Sequence, residues 1–233
     1  TQKLKVMLHP DSQRLLPDLH EAAAWLAALD SGFLDWLVKH EPEAALEADF
    51  ATLAQGDLPV LVDGLLQLAV EEQRASYGWQ RLAKLKYPGL EEKLRSFITN
   101  KHNPLVARVL AIKIVNACEL QELGTVLAEL ALNQQEDMKL RKLAASYMDN
   151  MDDDAKRLLI PLAESVQESP LKAIALSTLG LHLMDAEAFF KQISPDFLEN
   201  VSGELRFQIY QDSLLNELDA DGLIVGLQWI AKY

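Results

Sequence analysis

The sequence predicts an all-α fold: an α-α superhelix of stacked helix pairs behind an N-terminal helical cap. Three observations carry that expectation. Nearly every long segment spaces its apolar residues at helical intervals, and almost none alternates as a half-buried strand does. Glycine (10) and proline (9) are too scarce in 233 residues for the many tight turns of a barrel or sandwich. Finally, three of the prolines follow a helix-capping residue, in Asn103-Pro104, Ser169-Pro170 and Ser194-Pro195. At the first helical position the missing N–H costs nothing and the fixed φ suits the helix.

Residues 1–56 are expected to form the cap. Ala22, Trp25, Leu26 and Leu29 make a short apolar stripe there, and Trp25 and Trp36 are expected in its core. Residues 57–233 are expected to form one continuous array. Leu58 to Arg74 reads as its first helix, with Asp57 as a candidate cap, and Leu90 to Thr99 as the partner beyond a basic loop. Leu123, Val126, Leu127, Leu130 and Ala131 then fall at helical steps. So do Leu140, Leu143, Ala144, Tyr147 and Met148, and again Leu171, Ile174, Ala175, Thr178 and Leu179. Asp152, Asp153 and Asp154 sit where a helix should begin, at the positive end of its dipole. Successive helical residues point about 100° apart, so the triplet does not converge on a metal ion. Asp154 to Val166 reads as one short helix, and Ser202 as a further candidate cap.

Four segments align on a basic residue followed by an apolar helix: Asn103 to Val115, Glu136 to Met148, Ser169 to Leu181, and Ser202 to Leu214. Their basic residues are Arg108, Arg141, Lys172 and Arg206, spaced by 33, 31 and 34. A helix–turn–helix unit of about 32 residues cannot bury its stripe alone, so neighbours must stack.

The formal net charge of −13 argues against nonspecific binding to nucleic acid or an anionic membrane. Its distribution is uneven, with −9 over residues 1–73, +7 over 74–113 and −11 over 114–233. The basic band holds Arg74, Arg81, Lys84, Lys86, Lys93, Arg95, Lys101, Arg108 and Lys113. Its first expectation is to pair with the acidic arms or to be solvated. Tyr77, Trp79 and Tyr87 interleave with these cations in SYGWQRLAKLKYPG. Core packing is expected first for Trp79 and Tyr87. A protein contact is the alternative, since Trp, Tyr and Arg dominate hot spots. Single-stranded nucleic acid, which stacks on aromatics beside cations, is the other. The candidate partner-binding residues are therefore Tyr77, Trp79, Arg81, Lys84, Lys86, Lys93 and Arg95.

Catalytic constellations are missing from the sequence. It has no P-loop, no GxGxxG, no GxSxG elbow, and no HxxxH or HExxH among its five histidines. The single cysteine, Cys118, excludes an internal disulfide and a CxxC site, and its place near the end of an apolar helix predicts a buried, inert thiol. His182 falls on the stripe of Leu171 and Leu179 and is expected as a core histidine; His102 is expected in a turn. The adjacent carboxylates Glu71-Glu72 and Glu91-Glu92 splay apart on a helix, and with Asp219 and Asp221 they read as solvated. No cofactor or metal is expected. No apolar run approaches 18 residues and no signal segment opens the chain, so the expected location is cytoplasmic.

The repeat pattern resembles a HEAT repeat. NPLVARVLAIKIVNA matches best, followed by EDMKLRKLAASYMDNM and SPLKAIALSTLGLHL. The resemblance implies that Arg108, Arg141, Lys172 and Arg206 pair between neighbouring repeats or cap the preceding turn. The tetratricopeptide and ankyrin signatures are absent. Upstream, LLPDLHEAAAWLAALDSGFLDWLVKHEPEAAL, DFATLAQGDLPVLVDGLLQLA and RLAKLKYPGLEEKLRSFI follow one another. That order resembles the helical region behind the nucleotidase core of bacterial NACHT-type STAND ATPases. It implies a non-catalytic sensor or arm that binds a protein or peptide, with other domains of the parent chain as possible partners. A start at Thr1 fits a fragment or a processed product. The alternatives are a HEAT-like DNA glycosylase for alkylated bases, which the −13 charge opposes, and a free-standing scaffold.

Overall fold

The structure, a computed structural model, describes residues 15–47, 56–73, 77–165, 170–201, 203 and 219–232. Every element among them is helical. Two compact units divide the chain, one up to Glu119 and one from Leu120.

Short polar side chains start many of the helices. Asp30, Asp137, Asp152, Asp185 and Ser194 each accept a backbone N–H from the first turn of the helix they cap, at 2.8–3.2 Å. These bonds satisfy donors that a helix start otherwise leaves open. Ser194-Pro195 behaves as its sequence predicts, with Ser194 as cap and Pro195 in the first turn. Asn103-Pro104 does not. Pro104 itself occupies the cap position, and the Asn103 amide donates to Phe97 O instead. Asp57 lies inside the first turn rather than capping it, because Gly56 takes the cap position. Ser169 and Ser202 lie outside the described residues.

In the first unit, α1 (His20–Ala27), α2 (Ser31–His40) and α3 (Pro42–Ala45) pack on one another, and α2 and α3 pack on α4 (Asp57–Glu72). Next come α5 (Trp79–Leu82), α6 (Leu90–Thr99) and α7 (Leu105–Ala117). The last of these is the hub, contacted by α4, α5 and α6. Leu61, Leu65, Leu90, Leu94, Ile98, Ala111 and Ile114 are fully buried in this unit. The N-terminal stripe does not face the core as expected. Trp25 is 71% exposed and Leu29 86%, while Ala23, Ala24 and Ala27 are buried instead. Small alanines let α1 approach its neighbours closely, which turns the bulky residues outward. Trp36 is half-buried in a stack between Phe33 and His40.

The second unit begins with α8 (Gly124–Leu132), α9 (Met138–Tyr147), α10 (Asp153–Arg157) and α11 (Ile160–Ala163). It continues with α12 (Pro170–Leu183), α13 (Ala186–Gln192), α14 (Pro195–Asn200) and α15 (Ala220–Lys232). Helix α8 packs on α9, α9 on α12, α11 on α12, and α13 on both α12 and α15. The three stripes predicted here are buried or half-buried throughout. The single helix expected over Asp154 to Val166 is two, α10 and α11, separated at Leu158-Leu159. Pro161 explains the break: it offers no N–H and its ring clashes with the carbonyl four residues back. Helix α12 is interrupted at Gly180 (φ 54°, ψ −166°). That break rotates the last residues of the helix, so His182 is exposed rather than in the core.

One local bond recurs. Arg108, on α7, is buried and its Nε donates to Ile98 O in the last turn of α6, 2.7 Å away. Arg141, on α9, is buried and its Nε donates to Ala131 O in the last turn of α8, at 3.0 Å. Lys172, on α12, is buried and its Nζ donates to Ser165 O just beyond α11, at 2.9 Å. In each case a cation of one helix satisfies a carbonyl at or just past the C-terminus of the helix before it. Such carbonyls have no intrahelical donor, and the helix dipole favours positive charge there. Arg206, the fourth aligned cation, lies outside the described residues.

Candidate functional site

All seven candidate partner-binding residues belong to the first unit, in the segment that links α4 to α6 and in α6 itself. The segment is irregular but not loosely attached. Gly78 is extended and opens the single turn of α5, a 3-10 turn follows over Ala83–Leu85, and Lys86 is extended again. Gly89, at φ 91°, makes the turn into α6, a backbone region that glycine adopts without strain. Leu82, Leu85, Leu90 and Leu94 are buried and hold the inner side of this path. Cys118 Sγ adds a hydrogen bond to Leu82 O at 3.3 Å.

The polar side is partly committed to the acidic residues around it. Tyr77 donates its hydroxyl to Glu43 Oε1 on α3 at 3.1 Å. Arg81 pairs with Glu47, and Lys93 on α6 pairs with Asp63 on α4. This is the pairing between basic band and acidic arm that the charge pattern predicts. Lys84, Lys86 and Arg95 are exposed. Arg74 lies outside the described residues.

Trp79 departs from its first expectation. It is 55% exposed and not part of the core. Its neighbours Tyr77 and Arg81 are tied to α3 or just beyond it, so the indole stands on an anchored stretch of backbone. Tyr87 is half-buried, and its hydroxyl is enclosed without a hydrogen-bond partner. Burial first, then the nearby carboxylates Asp63 and Glu91, push its pKa up to about 12. Burial likewise pushes the Cys118 thiol up to about 11, with Lys86 and a backbone hydrogen bond at Leu85 opposing that rise. A thiol so placed carries almost no thiolate at neutral pH, in keeping with the inert role read from the sequence.

The second unit holds two features that the sequence reading did not single out. An open cleft of about 650 Å³ is lined by Glu164, Ser165, Asp185, Glu187, Lys191 and the buried Lys172. Lys172 Nζ is engaged there by Ser165 O and by Gln192 Oε1, and stands 5.6 Å from the centroid of the Phe197 ring. The other feature is a row of exposed aliphatic side chains on α15, namely Leu223, Ile224, Leu227 and Ile230. Its signal is legible in ADGLIVGLQWIAK, which is apolar on nearly every side.

His102 is exposed in a turn, as expected. His182 Nε2 lies 3.8 Å from Asp153 Oδ1 on an exposed surface of the second unit. Among the described residues, no three His, Cys, Asp or Glu side chains are grouped to hold a metal ion. Nor is any described helix long and apolar enough to cross a membrane. No family model matches the chain, and no curated protein or solved structure matches it either.

Proposed function

We propose that the chain is a non-catalytic protein-interaction module that docks a protein or peptide on the surface carrying Trp79. The observation that carries this reading is the exposed indole between two residues whose side chains are anchored. Anchored neighbours reduce the chain entropy lost when an exposed aromatic docks, and Trp, Tyr and Arg are enriched among hot spots. The exposed Lys84, Lys86 and Arg95 belong to the same basic band and favour an acidic partner surface. The commitment of Tyr77, Arg81 and Lys93 to carboxylates supports protein over nucleic acid, as does the net charge of −13.

The proposal extends to architecture. The recurring cation-to-carbonyl bond at Arg108, Arg141 and Lys172 supports a HEAT-like α-α superhelix. The order of upstream motifs supports a cytoplasmic sensor region of a STAND-type ATPase. A P-loop encoded upstream of Thr1 is the expected observation, and a start codon immediately before Thr1 would remove the STAND reading.

A photo-crosslinking residue at position 79, used in the native host, tests the docking surface. A defined protein adduct is expected there, absent when the same probe replaces the exposed Lys139. Combined reversal of Lys84, Lys86 and Arg95 to Glu should weaken that adduct at least tenfold and leave the chain folded by circular dichroism. A lower melting temperature with the adduct intact would make the three cations structural. A nucleic-acid adduct would overturn the reading.

A further inference from the structure

Helix α1 is turned with its small face inward. Ala23, Ala24 and Ala27 are buried, and the helix packs on α2 and α3. Its large side chains face the other way, with Trp25 71% exposed, Leu26 41% and Leu29 86%. Asp30 N still donates to Leu26 O at 3.1 Å, so the helical turn runs on to Asp30. At about 100° per residue, Ala22, Trp25, Leu26 and Leu29 then share one arc of about 100°. All four are exposed. A contiguous exposed apolar patch with a polar rim marks an interaction site.

The charge of the rim decides what fits. Glu21 and Asp30 are exposed on opposite flanks of the arc. Each stands about 90° from its centre, where the flanking residues of a helix–helix seam set the charge of the partner. Asp18 is exposed one turn before Ala22, in the 3-10 turn Pro17–Leu19 that leads into α1. No lysine or arginine occurs from Leu15 to Val38. We infer that this arc docks an amphipathic helix of another protein, apolar along one face and carrying Lys or Arg beside that face. A second copy of the chain does not fit. Antiparallel pairing of two α1 helices sets Asp18 and Glu21 toward Asp30, and parallel pairing sets each acid against itself. An anionic lipid surface is repelled for the same reason. The inference does not rest on the Trp79 surface, whose cations favour a partner of the opposite charge. Three turns of helix bury less than a standard interface, so the affinity is modest.

The probe is a fluorescein-labelled synthetic helix of about 18 residues, with leucine along one face and lysine beside it. It is titrated with the full chain at about 0.15 M salt and followed by anisotropy. Saturable binding is expected below about 100 µM. Leu29→Ser and Trp25→Ser should each weaken it about tenfold. Both side chains are exposed, so the circular dichroism spectrum should not change. Glu21→Gln combined with Asp30→Asn, which keeps a capping side chain, should weaken it about threefold. Trp79→Ser should leave it unchanged, which separates this surface from the one around Trp79. Replacing the lysines of the peptide by glutamate should weaken binding at least about tenfold. An absence of saturable binding overturns the inference. So does binding indifferent to Leu29→Ser, which would mark a response to net charge alone, or equal binding of the glutamate peptide. Self-association in sedimentation velocity that Leu29→Ser abolishes would put a second copy on the arc and overturn it too.

Discussion

Replacing Arg141 by methionine asks how much the recurring cation-to-carbonyl bond contributes. The side chain is only 8% exposed, and its Nε reaches Ala131 O at 3.0 Å. Methionine keeps an unbranched stem in the same space and removes the donor, so packing is largely preserved. A hydrogen bond from a charged group contributes about 1.5–3 kcal/mol, because its loss strands a carbonyl at a helix end. The cost of burying the guanidinium partly offsets this, which places the expected loss near about 2 kcal/mol. For a unit of this size that is roughly 8 °C in melting temperature. Urea titration followed by far-UV circular dichroism measures it, with the slope expected unchanged. Lys139→Met is the control: it is exposed on the same helix and should stay within about 0.5 kcal/mol of the parent. If Arg141→Met costs no more than Lys139→Met, the bond is incidental and the structural reading of these cations fails.

Packing and titration give two more expected outcomes. Gly124→Val should cost about 1–3 kcal/mol in the same urea assay, because its Cβ would stand 2.7 Å from Ala155 Cβ. Adding Ala155→Gly should recover part of the loss, and no recovery would point to another cause. Stability should also fall as pH rises from about 9 to about 11. The unfolded Cys118 thiol ionises near 9.0 while the folded one holds its proton to about 11, so over that window the unfolded state gains stability by releasing a proton. Cys118→Ala should flatten the fall below pH 10. Above pH 10, Tyr87 acts with the same sign. An unchanged profile in Cys118→Ala would show that the thiol is not the group responsible.

How far the sequence could be read depended on what each residue leaves open to choice. The stripes through Leu127, Leu140 and Ile174 were legible because large aliphatic residues face alanine or polar residues on the same helix. Helix α1 was not, because HEAAAWLA is apolar in two directions. Periodicity ranks bulk first, whereas the neighbours accepted Ala23, Ala24 and Ala27. His182 leaves the stripe because Gly180 breaks the helix with a left-handed φ that no spacing rule foresees. In the candidate surface, the pairing of the basic band with acidic residues was foreseen, but not which cations it would take. Arg81 and Lys93 found Glu47 and Asp63 through tertiary packing, and the exposure of Trp79 depends on the same packing.

The reach of the Arg108 and Arg141 bonds along the chain has a kinetic meaning. Each joins residues only ten positions apart, so closing it immobilises a short loop and little chain entropy. Such a contact needs no distant segment to have been made first. During synthesis, each acceptor carbonyl leaves the ribosome just ahead of its donor, so a helix pair can lock while the next is still being translated.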